Sequence, residues 1–333
     1  MNNSIRMLDE FLKRNDKFIV STHESPDADG LGCEIAFLDF LRQMGKTAII
    51  LNSDPVPDIC RFLDVDNELT VLEDESQLPS DINEYSQFVL DTNDYNNIGS
   101  AYNILSTRVK EYFIIDHHQD SDQNKIDINF IKVDAASASE IIYAIIKHYN
   151  KELNFKMAQA LYTGIVFDTG SFRYPKTTSE TFLIASHLVS LGVDPFKVYE
   201  NLYESNSLSS FQLRGRILAS MEILEDGKMI SMKLTPEMVA ETHGSFSEGE
   251  STINAPFTVK GVAASLLVKQ DTEGPVKISM RTKGNLDVAA LAIKNGGGGH
   301  KNAAGCVVEG IAAEVIGTVI GAVSRSLQPS RKS

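Results

Sequence analysis

The sequence predicts an α/β protein of two domains. The larger N-terminal domain carries a mostly parallel sheet flanked by helices, and the smaller C-terminal domain a mixed sheet. Three observations lead there. Short apolar runs alternate with helix-length segments through the first part of the chain, the pattern of a parallel sheet covered on both faces. At 333 residues the chain exceeds the roughly 250–300 residues at which single cores stop growing. Beyond residue 215 the segments shorten into strand-like pieces with one helix among them, as in a partly antiparallel sheet.

The elements follow in order. "MNNSIRMLDEFLKRNDK" at the start lacks the unbroken apolar stretch of a signal peptide and predicts an amphipathic first helix. "KFIVSTH" (17–23) predicts a buried strand, followed by a Pro/Asp/Gly loop and the helical "GCEIAFLDFLRQMG". "TAIILN" (47–52), "QFVLDTND" (87–94) and "EYFIIDHH" (111–118) predict further strands. Ser137 or Ser139 is placed to cap the helix "SEIIYAIIKHYN", and "KMAQALYTGIVFDTG" predicts another helix running into an acidic terminus. Gly, Pro and Ser punctuate "LGVDPFKVYENLYESNSLSSFQLRGRIL" (191–218), so a linker is expected over 191–215, between domains at 1–190 and 216–333. After it, "GVAASLLVKQ", "GPVKISMRT" and "GCVVEG" predict strands, and "LDVAALAIKN" a helix.

Composition narrows the function. Residues 1–215 carry 18 Lys and Arg against 33 Asp and Glu, whereas residues 216–333 carry 13 against 12. So acidic a first domain is unsuited to gripping long nucleic acid by its phosphates, which needs a basic face. It suits bound cations and a small anionic ligand held locally. No run approaches the roughly 18–20 apolar residues of a membrane span. Cys33, Cys60 and Cys306 are widely spaced and in no metal pattern, which argues against a disulfide framework and for a reducing, cytoplasmic setting.

Four apolar runs end in metal-ligand residue types. These are "VSTHESPDAD" with His23, Asp27 and Asp29; "FVLDTND" with Asp91; "FIIDHH" with Asp116, His117 and His118; and "GIVFDTG" with Asp168. Any one such Asp is more often a helix cap or turn residue. Four at the same end of apolar runs are another matter, because ligands in an open parallel sheet bind beyond the carboxyl ends of the strands. Read as four strand ends, they are expected to converge on one crevice. Crowded carboxylates repel unless cations neutralise them, and mixed Asp and His donors suit divalent metals such as Mn²⁺, Fe²⁺ or Zn²⁺.

A second signal is "NGGGGHKNAAG" (295–305). Consecutive glycines let backbone N–H groups approach an anion, with His300 and Lys301 immediately following. The run lies between an apolar helix and a strand, a poor place for a flexible linker. Arg281 in "ISMRT" is a candidate for bidentate phosphate contact.

These motifs, in this order, resemble the DHH phosphoesterase superfamily, named for the tripeptide that Asp116, His117 and His118 match. The glycine run before His300 resembles the signature of the DHH-associated C-terminal domain. The resemblance spans Lys17 to Glu309, and the two-domain length is similar to the bacterial oligoribonuclease and pAp phosphatase group. RecJ-type exonucleases are similar at the site but usually carry extra nucleic-acid-binding domains. The resemblance implies two divalent metal ions, usually Mn²⁺, one held by His23, Asp27 and Asp91 and the other by Asp29, Asp91, His117 and Asp168. His118 and Asp116 would serve catalysis, His118 at the phosphate or leaving oxygen and Asp116 orienting an imidazole. Arg281, Gly298, Gly299 and His300 would hold a substrate phosphate, with the active site in the interdomain cleft. Substrates would be short single-stranded RNA or DNA oligonucleotides and pAp, not long duplexes or membranes, and a homodimer is compatible with this reading. Alternatives are a linear or cyclic dinucleotide phosphodiesterase, a non-catalytic nucleotide-binding regulator, and an inorganic pyrophosphatase, for which the tail "SRKS" (330–333) offers a superficial match.

Overall fold

A computed structural model describes residues 2–118, 129–270, 275–284 and 286–308, with Gly317, Ile320, Gly321 and Arg325. The chain divides into two units, Met1–Ser205 and Asn206–Ser333. In the first, α1 (Asn2–Arg14) leads into β1 (Lys17–Ser21), α2 (Ala28–Gln43), β2 (Thr47–Asn52), β3 (Leu69–Val71), β4 (Tyr85–Leu90), α3 (Ser100–Leu105), β5 (Tyr112–Asp116) and β6 (Asn129–Ile131). Helices α4 (Ala138–His148), α5 (Phe155–Asp168), α6 (Ser179–Ser190) and α7 (Pro195–Tyr203) complete it.

The six strands form one sheet in the order β3-β2-β1-β4-β5-β6, and every pairing is parallel. Successive side chains serve opposite faces, as a pleated strand requires. Phe18 and Val20 of β1, Phe88 and Leu90 of β4, and Phe113 and Ile115 of β5 join the core under α1, α2, α4 and α5. Ile19, Val89 and Ile114, between them, join a second core with Ala101 and Leu105 of α3. This explains why the strands read as unbroken apolar runs. The chain steps outward from β1 to β2 and β3, then returns to place β4 on the other side of β1. The strand order therefore reverses between β1 and β4, where such folds bind ligands.

The second unit comprises α8 (Leu208–Ala219), β7 (Glu222–Leu224), β8 (Met229–Leu234), α9 (Pro236–Thr242), α10 (Phe246–Glu250), β9 (Ala264–Gln270), β10 (Val276–Thr282), α11 (Ala289–Lys294), β11 (Gly298–His300) and β12 (Ala303–Val308). Its sheet runs β11-β12-β10-β9-β8-β7 and is mixed: β8 and β9 pair in parallel, the other neighbours antiparallel.

Several expectations change. Residues 191–215 carry α7 and the start of α8 rather than a plain linker, and the units divide between Ser205 and Asn206. Val198 and Leu202 of α7 pack into the first unit's core, and Leu213 and Ile217 of α8 into a core of the second. The helix expected over "KMAQALYTGIVFDTG" is α5, so Asp168 ends a helix and only the other three apolar runs end strands. The apolar run before it belongs to a helix buried nearly all round, which hydrophobicity alone does not separate from a buried strand. Part of the glycine run is itself a strand, β11. The tail 330–333 lies outside the described residues. All three cysteines are free and buried. Among the described residues no helix is long and apolar enough to cross a membrane.

Candidate metal centre

The residues at the carboxyl ends of β1, β4 and β5 meet those from α2 and α5. His23 follows β1 by two positions. Its Nδ1 lies 2.8 Å from the Glu24 carbonyl, which can only accept, so the neutral ring keeps its proton there and presents Nε2. That nitrogen is 3.9 Å from Asp27 Oδ2 and 3.8 Å from Asp91 Oδ2. Asp27 is the N-cap of α2: its Oδ1 accepts from the N–H groups of Asp29 and Gly30, leaving Oδ2 toward His23. Asp91, directly after β4, adopts a left-handed φ of 60° and is 2 % exposed. Such conformations cost about 1–3 kcal/mol and persist only where the surroundings over-determine them.

Asp29 is fully buried. Its two oxygens accept the N–H groups of Ala138 (2.7 Å) and Ser139 (3.0 Å) at the start of α4. Gly32 and Gly164 make room for this. A Cβ at Gly32 would strike the Ala160 carbonyl, and one at Gly164 the Ser139 hydroxyl and the Asp29 carboxylate. The close approach of α2 and α5 carries Asp29 and Asp168 to the same place.

His117 and His118 follow β5 and part company. His117 is buried, with Nδ1 3.4 Å from the Ala135 carbonyl. Its Nε2 is 3.1 Å from Asp168 Oδ2 and 3.5 Å from Asp91 Oδ1. Neither approach has hydrogen-bond geometry, so His117 Nε2 and Asp91 Oδ1 are buried polar atoms without a hydrogen-bond partner. His118 has a side chain 55 % exposed. Its Nδ1–H donates to Asp116 Oδ1 at 2.7 Å, and its backbone N–H to Asp116 Oδ2 at 3.1 Å. Asp116, fully buried, thus orients His118.

The ligand atoms fall into three groups, each with all members within 4.8 Å of one another: His23, Asp27 and Asp91; Asp29, His117 and Asp168; and Asp91, Asp116, His117 and His118. Asp91 and His117 each belong to two. The electrostatics show the strain of so much charge. Burial, then the Asp168 charge, pushes the Asp29 carboxyl up to about 7. Burial, then Asp29, holds Asp91 well above the carboxylate range. Burial would lower His23 and His117, but neighbouring carboxylates outweigh it and raise them to about 9 and about 11. Burial would raise Asp27, but His23 and the two capping N–H groups outweigh it and lower it. In the absence of a cation, these shifts favour the protonated forms of the raised groups. A buried Nε2 and a buried carboxylate oxygen without hydrogen-bond partners, in a mixed Asp/His set, fit divalent metal ions.

In the second unit, Arg281 on β10 is half-buried, with Nη1 donating to the Met280 carbonyl at 3.0 Å. The register places Arg281 and His300 on the strands either side of Ala303. A Cβ at Gly297 or Gly299 would collide with β12, and Gly299 has φ +136°, whereas Gly298 faces open space. Two of these glycines therefore have a structural reason, and Gly298 does not.

The DHH family N-terminal domain matches residues 17–165, and the DHHA1 domain matches residues 250–328. The chain pairs a DHH domain with a DHHA1 domain. This DHH–DHHA1 chain is 26 % identical over 309 residues to a Thermus thermophilus protein named bifunctional oligoribonuclease and PAP phosphatase NrnA, covering 92 % of this chain and 89 % of that one. It is 26 % identical over 310 residues to the Listeria monocytogenes cyclic-di-AMP phosphodiesterase PdeA, covering 88 % of this chain but 45 % of that protein. Among solved structures, an exopolyphosphatase-related protein from Bacteroides fragilis superposes with a TM-score of 0.87 at 26 % identity, over 98 % of this chain and 96 % of that one.

Sequence reasoning missed how the ligands are held: the α4 N–H groups on Asp29, the glycines between α2 and α5, and the turn after Asp168. Ser137 or Ser139 was visible as the cap of α4, and Ser137 takes that place, but nothing local tied that helix end to Asp29.

Proposed function

We propose that this DHH–DHHA1 chain is a metal-dependent phosphoesterase that hydrolyses short oligoribonucleotides and the 3′-phosphate of pAp. The observation that carries the proposal is the convergence of Asp and His donors at the β1–β4 strand-order reversal, with His117 Nε2 and Asp91 Oδ1 buried and without a hydrogen-bond partner. The similarity to a protein named for both activities, over nine-tenths of each chain, supports the substrate class.

In this reading His23, Asp27 and Asp91 hold one divalent ion and Asp29, Asp91, His117 and Asp168 another, both Mn²⁺. When bound, such ions supply Lewis-acid stabilisation of phosphoryl oxygens and activate a water for in-line displacement. The chain's own residues do the rest. Glu24 and Ala135 carbonyls hold the His23 and His117 tautomers that present Nε2. Asp116 fixes the His118 ring, leaving its exposed Nε2 to face the phosphate; in the imidazolium form, Nε2–H donates to the leaving oxygen. Arg281, the Gly298–Gly299 backbone and His300 hold a second, terminal phosphate. The strongly acidic residues 1–215 repel a long polyanion, which favours few-phosphate substrates.

A second reading, a cyclic or linear dinucleotide phosphodiesterase, is favoured by the similarity to the Listeria protein. One panel separates them: pAp, pApA, cyclic dinucleotides, RNAs of graded length and pyrophosphate, each with Mn²⁺, Mg²⁺ or chelator. The proposal expects metal-dependent turnover of pAp and short RNA that declines as RNA lengthens. Preference for cyclic dinucleotides would favour the second reading, and no turnover of any phosphate ester would end both.

A further inference from the structure

We propose that the turn Gly170–Lys176, immediately after Asp168, is a phosphate-gripping element in which the Lys176 ammonium and the Arg173 guanidinium take a substrate phosphate. This rests on the phosphoesterase reading above and adds two binding residues to it.

The turn has an unusual backbone. Gly170, Ser171 and Phe172 follow one another at φ 54°, 59° and 64°, and a bulky aromatic residue there is a true outlier. It is held from several sides. Ser171 N–H donates to the Val166 carbonyl at 2.8 Å, and Arg173 and Tyr174 N–H both donate to the Thr169 carbonyl, at 2.9 and 3.0 Å. Thr169 Oγ1 accepts the Phe172 N–H at 3.0 Å. The Phe172 ring stacks on Phe182, centroids 5.2 Å apart and planes 23° apart. The Tyr174 ring lies so close to Gly170 that a Cβ would meet it. Strain over-determined in this way clusters at functional sites.

What the turn presents is positive charge in an acidic neighbourhood. Arg173 and Lys176 are exposed. Arg173 Nε donates to the Gly170 carbonyl at 2.7 Å, and Lys176 Nζ to the His117 carbonyl at 3.3 Å. Both partners are neutral, and among the described residues neither cation makes an ion pair. Elsewhere in this unit Lys17, Arg42 and Lys156 each hold two carboxylates. Tying Lys176 to the carbonyl between His117 and His118 sets an ammonium, with further N–H donors to spare, beside the candidate centre. An ammonium and a guanidinium without a carboxylate partner suit a ligand phosphate.

The test uses the full chain with Lys176→Met and Arg173→Met, which keep the stem and remove the charge, and Lys176→Arg, which keeps the charge. Calorimetry reads pAp binding with Ca²⁺ at low and high salt; steady-state kinetics, a metal titration and Tm complete the set. The expected result for each Met variant is pAp binding weakened about 10–150-fold, the size of a lost hydrogen bond to a charged group. KM rises more than kcat falls, the salt dependence flattens, metal affinity and Tm hold, and Lys176→Arg recovers most of the loss. Unchanged pAp affinity and KM would overturn the proposal. So would a parallel loss of metal affinity and Tm, since the turn would then merely brace His117. Failure of the parent reading looks different: the wild type would turn over no phosphate ester, while pAp binding still decides the role of the turn. A wild type that neither binds nor hydrolyses pAp would sink both.

Discussion

The two candidate functional regions are built on opposite principles. In the first unit, buried carboxylates and imidazoles are crowded together against their own repulsion, with Asp91 in a left-handed conformation and His117 Nε2 without a hydrogen-bond partner. In the second, Gly298 lies on an exposed edge strand facing open space, one strand away from Arg281's neighbour in the sheet. Crowded, buried charge is what holding metal ions demands. An open strand with little side chain is what admitting a phosphate demands. The difference predicts that substitutions in the first region abolish chemistry and metal binding together, whereas those in the second weaken substrate binding alone.

Asp91→Ala has the largest expected effect. It removes a carboxylate common to two ligand groups, so turnover should fall to the limit of detection and bound metal should drop. Asp94→Ala, a few residues on, removes a cap that accepts from the Asn96 backbone N–H and side-chain amide and should cost about 1 kcal/mol of stability. Steady-state assays with excess Mn²⁺ and a metal assay compare the two. Near-normal activity in Asp91→Ala would refute its bridging role.

Asp116→Asn should come next. Without a full carboxylate on Nδ1–H, His118 loses its fixed orientation, and activity should fall about 10–100-fold, as for groups that orient ligands and catalytic imidazoles. Tm should change little because the amide still occupies the site. An unaltered pH–rate profile would mean that His118 is not in play.

A smaller, more selective loss is expected from His300→Ala: about 10–150-fold in kcat/KM on pAp and short RNA, with metal affinity intact. A small artificial phosphodiester lacking the distal phosphate should be far less affected. Gly298→Ala sharpens the same point, since a Cβ there meets nothing in the fold. Any loss of affinity without loss of Tm then comes from the ligand's approach.

The smallest effect is on stability. His23 and His117 are raised to about 9 and about 11 in the folded, metal-free chain, against about 6.5 unfolded. The folded state thus binds protons that the unfolded state has released, and the linkage makes stability fall as pH rises. This contribution is fully present below about 6.5 and lost progressively through 9 toward 11. Chelator-treated protein should lose Tm between pH 7 and 9 by this route, and His23→Gln should flatten part of the slope. A metal-free slope insensitive to His23→Gln would contradict it.

Much of the first unit was legible because its strands are buried on both faces and end abruptly in charge. Phe113, Ile114 and Ile115 admit only a buried element, and the burst of Asp116, His117 and His118 marks where it meets the site. What escaped had physical causes. Pro195 and Ser207 looked like linker punctuation but begin helices: Pro195 stands in the first turn of α7 behind the Asp194 cap, and Ser207 caps α8. The helix before Asp168 was legible, but its apolar run was grouped with the strand ends because α5 is buried nearly all round. The four glycines within 295–305 suggested backbone approach to an anion, yet Gly297 and Gly299 are needed for close approach to β12. The contact of Asp29 with Ala138 and Ser139 joins residues more than a hundred positions apart, beyond any local pattern. The left-handed turn at Gly170–Phe172 carries no sequence signal beyond one glycine.

The crowded Asp and His residues of the first unit are proposed to form a divalent metal centre that takes up cations in exchange for bound protons. Calorimetric titration of Mn²⁺ into metal-free protein, repeated at one pH in buffers of different ionisation enthalpy, tests it directly. Saturable binding with net release of protons is expected, both lost in Asp91→Ala. Absence of binding, or binding with no proton release that survives Asp91→Ala, would contradict it.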